Sequence, residues 1–172
     1  IPKFKDEVTF VKDWKESIGE AQSINVDIRI AGDSVCSASH TKLVCFSGSD
    51  GKIIRQKEAE DHFSSALVNI EPTSYIVSNS GFLRALNENF DSQWKVNVND
   101  EAVSAPAVGS DSLYIRTVTG TIHAYSKLDG KKIWEFSAPP SPLVLRGQVG
   151  ILVGPDGNLV AGFPGGYLYK FD

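Results

Sequence analysis

The sequence contains no methionine, only two cysteines and only three histidines. His40, His62 and His123 fall on separate segments without ligand spacing, so no Cys/His metal centre is written into the chain and no metal is expected. No apolar run approaches the ~20 residues of a membrane-spanning helix, and no charged-then-apolar leader opens the chain. The missing methionine, with Ile1 in first position, is expected of a piece of a longer translation product whose front end is not included. Lys and Arg number 17 against 21 Asp and Glu, for a net charge of −4. A broad phosphate-binding surface needs clustered cations, so no nucleic-acid partner is expected. A convincing helical period is absent as well.

What the 172 residues do contain is a repeat. The segments "TKLVCFSGSDGKIIRQ" (41–56), "GFLRALNENFDSQWKV" (81–96) and "GTIHAYSKLDGKKIWEF" (120–136) each read as strand, polar turn, strand, ending near a Trp or its equivalent. Gly81 and Gly120 stand 39 residues apart, Trp94 and Trp134 40 apart. A fourth copy opens at "PDGNLVAGFPGGYLYKFD" (155–172), and further strands precede each hairpin, such as "VDIRI" (26–30) and "SAPAV" (104–108). Four short antiparallel strands in a tandem unit of about 40 residues predict an all-β fold, a β-propeller built of four-stranded blades. The expected division is 1–23 as an N-terminal segment, then 24–63, 64–100, 101–140 and 141–172 as blades one to four. The polar stretch "KEAEDHF" (57–63) is expected as a loop between blades.

The two ends look complementary. "FVKDWKESIG" (10–19) reads as an outer strand without a blade, and the fourth blade stops before its outer strand. Strands from both termini completing one blade is the expected closure. For this piece alone, two copies exchanging N-terminal strands into an eight-bladed ring is the favoured homodimer.

Cys36 and Cys45 flank the turn "SHTK". If His40–Thr41 is a two-residue loop, they face each other within reach of a disulfide. A three-residue loop would put them on opposite faces, and two small core fillers remain the plainer reading. "GPDG" (154–157) and "GFPGG" (162–166) read as turns, without a calcium-ligand ladder or a phosphate-cradling helix. "SPLVLRG" (141–147) joins blades three and four, where Leu143 and Leu145 alternate ahead of Arg146. The residues alone favour packing of both leucines into the fourth blade.

The pattern "GTIHAYSKLDGKKIW" (120–134) resembles the repeats of quinoprotein-like propellers. Taken with "FVKDWKESIG" and "LVLRG…GPDGNLVAGFPGGYLYKFD", the whole chain resembles the N-terminal half of the BamB family. These are lipoprotein scaffolds of the outer-membrane β-barrel assembly machine, with eight blades. The resemblance implies no enzymatic activity and no cofactor. It implies docking to the periplasmic POTRA repeats of BamA through Leu143, Leu145 and Arg146. It further implies unfolded outer-membrane proteins as clients and a place on the periplasmic face of the outer membrane, held by a lipid anchor. Two other classes are considered: a quinoprotein dehydrogenase, for which the chain lacks an adjacent Cys–Cys pair, and a general propeller adaptor.

Overall fold

The computed structural model describes residues 11–18, 28–39, 42–63, 65, 67, 68, 72–102, 104–139, 150–163 and 166–171. Among them, fourteen strands form four antiparallel sheets in sequence order. The first sheet holds β1 (Ile28–Ala31), β2 (Ser34–Ala38), β3 (Lys42–Ser47) and β4 (Ile53–Glu58). The second holds β5 (Ser74–Val77), β6 (Phe82–Leu86) and β7 (Ser92–Asn97). The third holds β8 (Ala107–Val108), β9 (Ser112–Arg116), β10 (Thr121–Ser126) and β11 (Lys132–Ser137). The fourth holds β12 (Ile151–Val153), β13 (Leu159–Phe163) and β14 (Tyr167–Phe171).

β3 and β5 are buried on both faces, which is why "LVCF" in β3 and "SYIV" in β5 read as continuous runs. Cys36, Leu43 and Cys45 of the first sheet pack on Ile76, Leu86 and Phe90 of the second. Val77 and Leu83 meet Leu113, Ile115 and Tyr125 at the next seam. Ile122, Trp134 and Phe136 then meet Leu159, Ala161, Phe163, Tyr169 and Phe171. Burying each such aliphatic side chain contributes about 1.5–3 kcal/mol. The hairpins share a distortion too, with register shifts between Cys45 and Phe46, Ala85 and Leu86, and Ala124 and Tyr125. An extra residue at the same place in these three hairpins adds local twist and aims the outer strand.

Three expectations need correction. The stretch 57–63 is not all loop, because Lys57 and Glu58 complete β4 opposite Leu43 and Lys42. The "SAPAV" strand shrinks to Ala107–Val108, since Pro106 denies the ladder a donor. The second sheet's first strand is reduced to isolated bridges among the described residues, Phe63 to Ser78 and Val68 to Tyr75, the latter closed by two 2.9 Å backbone bonds. Residues 11–18 pair with none of the described strands, and they reach the first sheet through Trp14.

Candidate functional site

The first and third hairpins carry the same tie. Trp94, opposite Ala85 in β7, donates its indole N–H to the Lys127 carbonyl in the next hairpin at 3.1 Å. Its ring covers Gly130, where an added Cβ would lie 2.6 Å from the indole. Trp14 repeats this on the first sheet, donating to the Gly48 carbonyl at 3.0 Å and covering Gly51 at 2.8 Å. It thus occupies on the first hairpin the place that Trp94 takes on the third.

The seam between the first and second sheets substitutes both partners. Arg55, opposite Cys45 in β4, stands at the Trp94 position and donates from Nη1 to the Glu88 carbonyl at 2.9 Å. Phe90, at φ 63°, stands where the flanking hairpins have Gly51 at 71° and Gly130 at 69°. An indole would collide with that ring, whereas the slimmer guanidinium lies over it, 5.1 Å from its centroid. Beside them Cys36 and Cys45 pair in register and are disulfide-bonded, with Cα atoms 4.0 Å apart. The Ser39 N–H to Lys42 carbonyl bond, at 2.8 Å, leaves 40–41 as a two-residue connection. The corresponding pairs downstream are Tyr75–Ala85 and Tyr114–Ala124. So a Cys–Cys–Arg–Phe layer replaces the Tyr–Ala–Trp–Gly layer at this seam.

A second tie joins the first two inter-sheet connections, each to the turn ahead of it. Ser80 donates to both oxygens of Asp61, at 2.9 and 3.0 Å, and Ser78 lies 2.9 Å behind it. The Asn79 N–H donates to the His62 carbonyl at 2.7 Å. At the next seam Thr119 donates to Asp100 at 2.6 Å, with Thr117 2.9 Å behind, and the Val118 N–H donates to the Glu101 carbonyl at 2.9 Å. Burial pushes both carboxyls up, but the hydroxyl and backbone donors outweigh it and hold Asp61 and Asp100 below the usual aspartate range.

Buried basic side chains flank these ties. Arg84 pairs with Glu60 at 2.8 Å and lies 3.7 Å from Asp61. The corresponding His123 sits 3.6 Å from Glu135 and stacks on Tyr125. Burial, helped by Lys132, lowers the His123 pKa against the pull of Glu135 and Asp100. At the third seam Arg116 donates to the Gly162 carbonyl and lies 4.9 Å over Phe163.

Leu143, Leu145 and Arg146 lie outside the described residues, as does His40. On either side of their connection, Ala138 and Ile151 pack against the core of the third seam. His62 and His123 are not brought together: one is exposed on a connection, the other buried in β10. Arg55, Asp61 and Asp100 are the residues that sequence reading missed. The 39-residue spacing of the two aspartates, each ahead of a hydroxyl-x-hydroxyl-Gly turn, was the available signal.

Antiparallel sheets stacked face to face, each plugged into the next by a side chain of its last strand, define a β-propeller. Residues 68–172 match the family model described as "Outer membrane protein assembly factor BamB". The chain belongs to that family. It is 24% identical over 169 residues to the protein of that name from Burkholderia pseudomallei, covering 98% of this chain and 44% of that protein. It is 33% identical over 92 residues to the one from Nitrosomonas eutropha, covering 54% of this chain and 22% of the relative. The crystal structure of BamB from Moraxella catarrhalis superposes with a TM-score of 0.73 at 20% identity, covering 85% of this chain and 45% of that one. The chain spans less than half the length of these relatives.

Proposed function

We propose that this stretch of chain is part of a non-enzymatic scaffold for outer-membrane β-barrel assembly. In this reading the connection between the third and fourth sheets docks the periplasmic POTRA repeats of BamA through Leu143, Leu145 and Arg146. Other surfaces meet unfolded outer-membrane proteins. Residues 1–23 supply the outer strand of the blade that precedes the first, and a lipid anchor holds the intact protein at the periplasmic face.

The observation that carries the reading is the family match over 68–172, a span that includes Leu143-Val144-Leu145-Arg146-Gly147. Chemistry supports it. Two alternating leucines present one apolar face when extended, and each contributes about 1.5–3 kcal/mol when buried. Arg146 offers a planar fork for a partner carboxylate. A cystine at Cys36–Cys45 suits an oxidising compartment.

The test replaces Leu143, Leu145 and Arg146 singly by Ala in the full-length protein. Capture by the POTRA repeats and the melting temperature are measured together. Lost capture at an unchanged melting temperature is the expected result. A lowered melting temperature with capture intact would return the leucines to the core and overturn the docking role.

A further inference from the structure

Across the first sheet, one row of directly opposed residues runs Arg29, Cys36, Cys45, Arg55, from β1 to β4. The same row is Tyr75, Ala85, Trp94 in the second sheet and Ala107, Tyr114, Ala124, Trp134 in the third. Opposed residues of antiparallel strands share a face and hold their Cβ atoms about 4.5–5.5 Å apart. The cystine of the first sheet is therefore bracketed by two arginines, an arrangement the next two sheets do not repeat.

The two ends of the row are built differently. Arg55 is half-buried and donates its Nε–H to Cys45 Sγ at 3.4 Å. The Glu88 carbonyl takes its Nη1, and the ring of Phe90 lies beneath it. No carboxylate pairs with it among the described residues, although Lys57 and Arg84 at the same seam meet Asp91 and Glu60. Its charge is thus fixed against sulfur with no anion of its own. Arg29 is exposed and lies on β1, the four-residue edge strand of the sheet. Cys36 and Cys45 are only 1% and 0% exposed. A short, exposed edge strand opens at lower cost than the strands inside a sheet. Opening of β1 uncovers β2, which carries Cys36, and leaves Cys45 between β2 and β4.

We propose that Cys36–Cys45 is a thiol–disulfide exchange site for a dithiol reductant, with Cys36 as the sulfur attacked and Cys45 as the sulfur released. A thiolate of the reductant, drawn toward Arg29, forms a bond to Cys36 Sγ. The Cys36–Cys45 bond breaks, and its electron pair leaves on Cys45 Sγ as a thiolate held by the Arg55 guanidinium. The second thiol of the reductant gives up its proton and attacks the reductant's own sulfur in the mixed disulfide. Cys36 is expelled and takes up that proton. The cystine has gained two electrons, and the reductant is oxidised to its own disulfide. A sulfur beside a fixed cation leaves faster, because the charge it acquires is stabilised. Burial sets how often the bridge is reached, and Arg55 sets which way it opens.

Exchange of the oxidised full-length protein with glutathione tests the direction. The reaction is quenched by alkylation, and the cysteine peptides are mapped by mass spectrometry. Glutathione is expected on Cys36 about tenfold more often than on Cys45. Equal labelling, labelling in favour of Cys45, or no labelling overturns the proposal. Equilibration in glutathione redox buffers tests the part played by Arg55. Arg55→Gln is expected to favour the oxidised form about tenfold, and Arg55→Lys, which keeps the charge, to restore most of the original balance. An unchanged balance in Arg55→Gln overturns the proposal, as does an Arg55→Lys balance no different from that of Arg55→Gln. Should Arg55→Gln not fold, the single variants Cys36→Ala and Cys45→Ala take its place. Thiolate absorbance is expected at a pH about one unit lower in Cys36→Ala, which keeps Cys45, than in Cys45→Ala. Coinciding titrations overturn the proposal as well.

Discussion

Arg55 holds its guanidinium 5.1 Å above the ring of Phe90, in the place that an indole takes above a glycine at the flanking hairpins. Each partner makes sense only with the other. Arg55→Trp alone drives an indole into Phe90 and should destabilise the chain by about 1–3 kcal/mol through overpacking. Adding Phe90→Gly rebuilds the Trp94–Gly130 arrangement and relieves a left-handed phenylalanine. The double variant should recover most of the loss in chemical denaturation. A double variant no better than the single one would show that the two positions are not coupled.

Gly130 and Gly120 offer a matched pair of substitutions. Both have positive φ, at 69° and 84°, so alanine strains the backbone at each by about 1–2 kcal/mol. Only at Gly130 does the new methyl meet a neighbour, the Trp94 ring at 2.6 Å, whereas nothing lies within 4 Å at Gly120. Gly130→Ala should therefore lower the denaturation midpoint clearly more than Gly120→Ala. Equal losses would mean that the indole plug is not tightly seated.

The Cys36–Cys45 bridge closes a short loop, with a sequence separation of 9. Chain-entropy arguments give about 2–3 kcal/mol for a loop of that size. Cys36→Ala with Cys45→Ala should lower the melting temperature by several degrees, and reductant should then have no further effect. A variant melting with the oxidised protein would remove the bridge from the stability of the first sheet.

Acid should weaken the chain in two stages. His123 has its pKa lowered from 6.5, so the unfolded state binds its proton first as pH falls. Its stabilising contribution is whole above pH 6.5 and declines as pH drops from there toward the lowered value. Asp61 and Asp100 are lowered from 3.8, so their contributions hold above that value and are lost as pH falls below it. His123→Gln should flatten the upper stage of a stability-against-pH curve and leave the lower one in place. Asp100→Asn should do the reverse.

The sequence made the repeat legible because glycine-led hairpins and tryptophans recur at 39 and 40 residues, and local turn chemistry survives without tertiary context. Cys36 facing Cys45 was legible only as one alternative, since a two-residue turn sets that register and a three-residue turn the opposite one. Arg55 was not, because an arginine in "KIIRQ" looks like any exposed strand residue until Phe90, 35 positions on, is placed under it. Asp61 and Asp100 were equally hidden, each satisfied by a hydroxyl 19 residues away in a turn of the following sheet. Pairwise complementarity across a seam leaves no mark on either segment alone.

The cystine lies wholly within the first sheet, linking β2 to β3, and no covalent bond other than the chain itself crosses a seam among the described residues. Sheets that touch only their sequence neighbours behave as a nearest-neighbour array, whose cooperativity is set by its interfaces rather than its units. Oxidation therefore stiffens one unit without coupling it to the next. Under load or heat, such an array should part at its weakest interface with the bridge still intact.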